Sequence, residues 1–456
     1  MRKMILLMCL CTMSGFAGAN SQDQYEGVWV TDGYGWLLHI EDGNTQIYQY
    51  SGDICIKEHP EPAPLSALLP TARLELSDEG TALRVFAEST EPFAINARRI
   101  DALPTACDQT TIDTPEDNFL AFVTFFDEHY PFFDLYDVNW AETVAEVQPM
   151  IGPNTSDQEL FELMTGMMEP IEDAHVSLWA EFDGAFHRFN GNRGRTSTQL
   201  RKAAEAAGLE PAQAAHEFRQ SFWYEGVAQG ILQDKGTMAG NEVVQYGMLE
   251  DGVGYLAIAG MSGFAEDGAD HAALLVTTQV LFDRIIRFFN EQNAQSLILD
   301  VSFNLGGHDY VAREIASRFV TEPFMAYSKY AADASAREET QFVIAPSEGP
   351  RFEGDVFLIT SNITVSAAEV FAITMRALPQ VTHLGEPTRG AFSDILSRTL
   401  PNGWALNLSN EVYLDADNMH WEGHGISPHL AHVVFSDIAP MESHRQLIWG
   451  LVETLR

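Results

Sequence analysis

The chain has 456 residues, with 65 acidic against 26 basic side chains and a formal charge of −39. That length accommodates two or three domains with a sizeable core, and that charge argues against nucleic acid or an anionic membrane as a partner. The acidic residues are spread along the chain without a long run, which fits a solubility role.

Residues 1–19 read as a secretory leader: Arg2 and Lys3, an apolar run over residues 4–13, then Ala17-Gly18-Ala19 as a small-residue cleavage site. Cleavage after Ala19 and a periplasmic or secreted product are expected. The residues before Cys9 and Cys11 fit lipid attachment poorly, and no later run reaches the ~18 apolar residues of a membrane span. Cys55 and Cys107 remain; a pair of cysteines in an exported chain most simply forms one disulfide, the alternative being two buried thiols.

Residues 20–110 hold short alternating segments (GVWVTD, WLLHIED, TQIYQYSG, ARLELSDEG, ALRVFAE) separated by Gly, Asp and Asn turns. They predict a small antiparallel β domain with Trp29, Tyr34, Trp36 and Tyr48 in its core. Over 111–183 the period becomes helical, with Asp117 and Ser156 as start signals and Glu159 completing a capping box. Three helices packed on one another are expected, the last running into Asp173-Ala174-His175, where the pattern turns extended. A histidine at a helix-to-strand junction is more often structural than catalytic unless other residues support it. Residues 184–242 read as a helical, locally basic connector or lid.

From 243 to 440 strands and helices alternate. EVVQYGMLE and GVGYLAIAGM read as strands, 271–292 as a long helix, and SLILDV as a strand covered on both faces. The turn that follows, SFNLGG, carries Gly306 and Gly307, a pair that lets backbone amides approach a ligand closely. Residues 322–353 read as a long polar connection. The stretch VFLITSNITVSAAEVFAITM (356–375) predicts a buried strand, a polar turn and a helix opening at Ser366. Ser366-Ala-Ala-Glu369 matches a capping box, while a serine beside the unpaired amides of a helix start also suits an anionic intermediate. A final helix covers 441–456. No clustered Cys/His spacing occurs, so neither a metal nor another cofactor is expected.

Taken in order, GYLAIAGMSGF, LILDVSFNLGGHDYV, TVSAAEV, HLGEPTRGAFSD and WEGHGISP resemble the motifs of the C-terminal processing peptidases, a family related to tricorn protease and the interphotoreceptor retinoid-binding protein modules. The resemblance spans roughly 112–435. It implies an α/β core of the ClpP/crotonase-like type, preceded by a three-helix bundle and the small β domain, and peptide-bond hydrolysis by a serine. The nucleophile position falls on Ser366, with Ala367 and Gly306 or Gly307 as oxyanion donors. The lysine base of the tail-specific branch is replaced by Ala391, and no lysine follows Lys329. The tricorn-like branch takes its base and third member from the positions filled here by His175 and Glu422. That branch has a serine where this chain has Ala174, and Asp173 is a candidate to compensate; the arginine of the glycine-pair motif is Ser302. His308 is the runner-up base, and Arg389 a candidate substrate-binding residue. A peptide or unfolded protein is the expected partner. The second reading is a catalytically weak or inactive binding protein for peptide or apolar ligands on the same fold.

Overall fold

The computed structural model describes residues 23–88, 91–108, 113–266, 268–335 and 337–456; the leader read in residues 1–19 lies outside them. Seven strands make the first sheet: β1 (Gly27–Thr31), β2 (Trp36–Glu41), β3 (Asn44–Ser51), β4 (Ile54–Lys57), β5 (Arg73–Leu76), β6 (Ala82–Phe86) and β7 (Ile95–Ile100). Its order is β4-β3-β2-β1-β7-β6-β5, with antiparallel neighbours throughout. Asp42 and Gly43 between β2 and β3 both take positive φ, as a two-residue primed hairpin turn requires. A one-turn helix, α1 (Leu65–Leu68), crosses this domain, and a Cys55–Cys107 disulfide ties β4 to the 105–108 turn. Trp29 and Tyr48 are core as expected, but Tyr34 and Trp36 also face a cleft against the rest of the chain.

Three helices follow: α2 (Pro115–His129), α3 (Trp140–Val147) and α4 (Asp157–Met168). Thr114 rather than Asp117 caps α2, its hydroxyl accepting from Asp117 N at 3.1 Å, whereas Ser156 and Glu159 form the expected capping box on α4. The helices share one apolar core with β8 (Ser177–Phe182) and the later β19 (Ala405–Ser409), so they pack on strands as well as on each other.

Two segments depart from the sequence-based expectation. Residues 185–190, read as part of a helical connector, form β9 (Ala185–Asn190), paired with β8 and completing a sheet of order β18-β19-β8-β9, where β18 spans Ile395–Thr399. None of its residues is fully buried, so no apolar alternation marks it. Helices α5 (Arg195–Ala206) and α6 (Pro211–Ser221) supply the expected helical part. Likewise 322–353 is not a plain connection but holds β14 (Phe324–Ala331) and β15 (Thr340–Ile344), which form a sheet with β20 (Glu411–Asp415). Ser328 and Lys329 are both buried, on opposite faces of β14, and a buried lysine breaks the hydrophobic signal that would mark the strand.

The largest core surrounds a second seven-stranded sheet. Its strands are β10 (Thr237–Ala239), β11 (Val244–Glu250), β12 (Val253–Ile258), β13 (Ser296–Asp300), β16 (Asp355–Thr360), β17 (Val381–Gly385) and β21 (Leu430–Ala431), side by side in that order. From β12 onward neighbours are parallel, and every residue of β12 and β13 is buried, as for strands covered on both faces. Helices α7 (His271–Glu291), α8 (Asp309–Ala316) and α9 (Ala367–Arg376) pack on it, and α10 (Pro440–Leu455) closes the chain. Among the described residues no helix is long and apolar enough to cross a membrane.

Candidate active site

The centre of the sheet ends in two adjacent turns, one after β13 and one after β16. They are stitched together: Ser361 Oγ donates to Ser302 O at 2.6 Å, Thr364 Oγ1 to Val301 O at 2.9 Å, and Val365 N to Asn304 O at 3.2 Å. Asn304 in turn takes the Gly306 amide on its Oδ1 (2.9 Å) and donates to Ile258 O (3.0 Å). The Gly306 amide is therefore engaged, while the amides of Gly307 and Ala367 carry no hydrogen bond among the described residues.

Ser366 follows at the cap of α9 with φ 62° and ψ −133°. A non-glycine residue in that region costs about 1–3 kcal/mol and persists only where its surroundings impose it. Here they do. Its amide donates to Ala391 O at 3.0 Å and to Glu369 Oε2 at 3.1 Å. Gly306 lies so close that a Cβ there would stand 2.7 Å from Ser366 Cβ and 2.7 Å from Val365 O. Glu369 is fully buried and also accepts from the amides of Gly390 (2.7 Å) and Ala391 (2.9 Å). Burial raises its pKa against the pull of those hydrogen bonds. One carboxyl group thus fastens the helix start to the 388–391 loop.

His175 sits in the turn between α4 and β8, which the pairing of β8 with β19 and β9 holds against the core. It is 7% exposed and its Nδ1 is buried without a partner. Asp173 accepts the His175 amide at 2.8 Å and the Tyr130 hydroxyl at 3.2 Å, so it fixes the backbone of the turn rather than the imidazole. Burial holds the imidazole below its ordinary range; Asp173 and Asp394 push it back up, and Arg389 adds to the lowering. Glu422 accepts from Phe392 N at 2.9 Å, and its Oε1 is buried without a partner. Burial, then Asp173, lifts its pKa well above the ordinary carboxylate range. Among the described residues no hydrogen bond joins Ser366 to His175, or His175 to Glu422. Ser366 and the free amides of Gly307 and Ala367 lie together on the two turns; His175 and Glu422, the expected base and third member, are buried and not linked to each other or to Ser366 by a hydrogen bond.

A cleft of about 520 Å³ opens from Gly307 and His308 toward the N-terminal β domain, with Tyr34, Trp36, Glu88, Glu91 and Phe93 on the far wall. In it Lys329 is clasped by Asp394 (2.6 Å), Glu411 (3.0 Å) and the Tyr413 hydroxyl (3.1 Å). Those partners raise its pKa against the effect of burial, so it stays protonated and is no base. His308 stacks on Tyr310 at 5.0 Å between ring centres and lines this cleft with Gly307. Ala391 is buried where it accepts the Ser366 amide, and Ser302 Oγ is buried without a partner. Arg389 donates from Nε to Asn362 O at 3.1 Å. Sequence pattern misses the Lys329–Asp394–Glu411 cluster, whose carboxylates lie 65 and 82 residues from the lysine and carry no local signature. No group of three or more His, Cys, Asp or Glu side chains able to hold a metal occurs among the described residues.

Comparison with known proteins covers the part of the chain that carries these two turns. The model of peptidase family S41 matches residues 252–432, a span that contains both turns, Ser366 and Glu422. A protein from Parabacteroides merdae, provisionally described as a peptidase, is similar at 24% identity over 75% of this chain and 97% of its own, with a TM-score of 0.55. Mature CPAF, solved with lactacystin, is similar at 12% identity over 75% of this chain and 98% of its own, with a TM-score of 0.52. These two likenesses establish a shared fold.

Proposed function

The chain belongs to peptidase family S41 and is a serine-type peptidase, and from that premise we propose that it is exported and cleaves peptide bonds through Ser366, His175 and Glu422 on a ClpP/crotonase-like spiral core. Ser366 Oγ attacks the carbonyl carbon, and His175 takes its proton and returns it to the leaving amine. The oxyanion rests between the amides of Gly307 and Ala367, each such donor contributing about 2.7–4 kcal/mol to the transition state. Gly306, its own amide spent on Asn304, holds that turn against Ser366. Glu422 orients His175 through the 392–393 backbone that it braces, and Asp173 and Asp394 are the charges that favour the imidazolium. The missing Ser366–His175 hydrogen bond fits a free enzyme, since such bonds often tighten only when substrate is bound.

The observation that carries this reading is the imposed backbone of Ser366 beside two unpaired amides. Its test is peptide-library digestion with new termini read by mass spectrometry. The wild-type chain is expected to generate termini that the Ser366→Ala chain does not. Identical products from both, or none from either, would remove Ser366 from the nucleophile role.

A further inference from the structure

The match to family S41 begins at residue 252, so the N-terminal sheet of β1 to β7 lies outside it and carries no member of the proposed triad. That sheet is nonetheless seated on the core. Asn410 Nδ2 donates to Gly33 O at 3.1 Å, Thr399 N to Gln49 Oε1 at 2.9 Å, and Asn96 Nδ2 to Glu338 Oε2 at 2.8 Å. A Cβ on Gly33, at φ 76°, would stand 2.6 Å from Ala331 Cβ, so the β1–β2 turn lies directly on the end of β14. Two further contacts differ from these, because they lead to α8, the helix that starts two residues after Gly307.

The first is an ion pair between Glu91, in the loop between β6 and β7, and Arg313 in the middle of α8. Arg313 also donates to the Tyr327 hydroxyl at 2.8 Å and lies 4.8 Å from the centre of the Phe342 ring. The second contact runs through buried side chains. The Tyr34 hydroxyl donates to Glu411 Oε1 at 2.5 Å, and Lys329 Nζ bridges Glu411 Oε2 (3.0 Å) and the Tyr413 hydroxyl (3.1 Å). Tyr413 in turn donates to Asp309 Oδ2 at 3.0 Å, and Asp309 is the first residue of α8. Phe93 of the same sheet domain covers Lys329, with its ring centre 4.2 Å from Nζ. Tyr34, Lys329, Glu411 and Tyr413 are all buried, and Glu411 Oε1 has no other donor among the described residues.

The Gly307 turn is thus held from both ends. Toward β12, Met261 N donates to Gly306 O at 2.7 Å and His308 N to Met261 O at 2.9 Å. Toward α8, apolar residues Val311, Ala312 and Ile315 pack the helix on the core, while Asp309 and Arg313 tie its polar side to the N-terminal sheet. A buried network that loses one member loses more than one bond, because the charges left behind must find new partners. Without the Tyr34 hydroxyl, Glu411 Oε1 has no donor, and the carboxylate, Lys329 and Tyr413 readjust together. A shift of about 1 Å at a group that meets the reacting atoms can cost about 10²-fold in rate.

We propose that Tyr34 and Glu91 of the N-terminal β domain are positioning residues for the oxyanion site. Tyr34 acts through Glu411, Lys329, Tyr413 and Asp309, Glu91 acts through Arg313, and together they fix the start of α8 and with it the Gly307 amide. The proposal rests on Gly307 serving Ser366 as an oxyanion donor, and it gives the sheet domain a part in the chemical step.

The test uses the full chain and compares Tyr34→Phe and Glu91→Ala with Asn96→Ala, which cuts a contact of the same domain that does not lead to α8. Each chain is assayed below its own unfolding transition, for peptide hydrolysis and for amide hydrogen exchange over residues 309–312. Tyr34→Phe and Glu91→Ala are each expected to lower kcat by about tenfold with KM unchanged, and to speed exchange in the first turn of α8 by a similar factor. Asn96→Ala is expected to change neither. Wild-type kcat in both variants, a change confined to KM, or the same loss in Asn96→Ala overturns the proposal. Should Glu91→Ala fail to fold, Tyr34→Phe, which removes a single hydroxyl, decides alone. If even wild type cleaves no peptide, the nucleophile reading fails separately and exchange still decides: faster exchange at 309–312 in Tyr34→Phe supports the tie to the Gly307 turn, and unchanged exchange overturns it.

Discussion

The nucleophile region and the base region are built on opposite plans. Around Ser366 the backbone is committed apart from the free amides of Gly307 and Ala367: Glu369 takes three amides, Asn304 bridges two segments, and Gly306 packs against Ser366 where a side chain would not fit. Around His175 the backbone is equally fixed by Asp173, but the functional edges of His175 and Glu422 end in unpartnered atoms. On the proposed mechanism one half is prepared for its chemistry in advance, and the other is held in place by burial and completes its bonds when substrate arrives. Electrostatic preorganisation at the oxyanion site makes that division workable, because the donors carry much of the transition-state stabilisation.

The largest break in this comparison comes from removing the base. His175→Ala should lower kcat by on the order of 10⁴-fold or more, whereas His308→Ala should stay within about tenfold of wild type, both read from steady-state peptide hydrolysis. The reverse pattern would move the base across the site. Next comes the packed half. Gly306→Ala puts a methyl 2.7 Å from Ser366 Cβ at a residue with φ 84°, and should lower kcat/KM by about 10²-fold through misplacement of the nucleophile. A smaller effect should follow at Glu422. Glutamine can still accept the Phe392 amide that Glu422 braces, so Glu422→Gln should keep kcat/KM within about tenfold of wild type. Glu422→Ala leaves the buried Phe392 amide unpaired and should cost about 1–3 kcal/mol of stability in denaturant unfolding.

The smallest effect is a shift in pH dependence. The base works as neutral imidazole, and burial lowers its pKa from the ordinary 6.5, so the acid limb of kcat/KM should fall below pH 6.5. Asp173 raises that pKa, so Asp173→Asn should move the limb to still lower pH. A wild-type limb above the ordinary histidine value would mean that the carboxylates outweigh burial.

The two halves also differ in how far the chain alone reveals them. Ser366, Glu369 and the strand before them lie within one continuous segment, and Gly306 and Gly307 follow a strand of unbroken apolar residues, so local pattern is enough. The N-terminal sheet is legible for the same reason: alternation and Asp-Gly turns are short-range signals. What escapes is set by distant partners. Lys329 is buried only because Asp394 and Glu411 come to it from the start of β18 and from β20, and that pairing conceals β14 as a strand. His175 could be picked out by its motif context, but not its missing bonds, which depend on where a separate set of helices docks.

The central claim is that a histidine carried by the α4–β8 turn activates Ser366 on α9. The rate of covalent labelling by a fluorophosphonate, followed by intact mass, tests it most directly. One phosphonyl group should add to wild type, none to Ser366→Ala, and addition to His175→Ala should be slower than wild type by about 10²-fold or more. Equal labelling of wild type and Ser366→Ala, or labelling of His175→Ala at the wild-type rate, would contradict it.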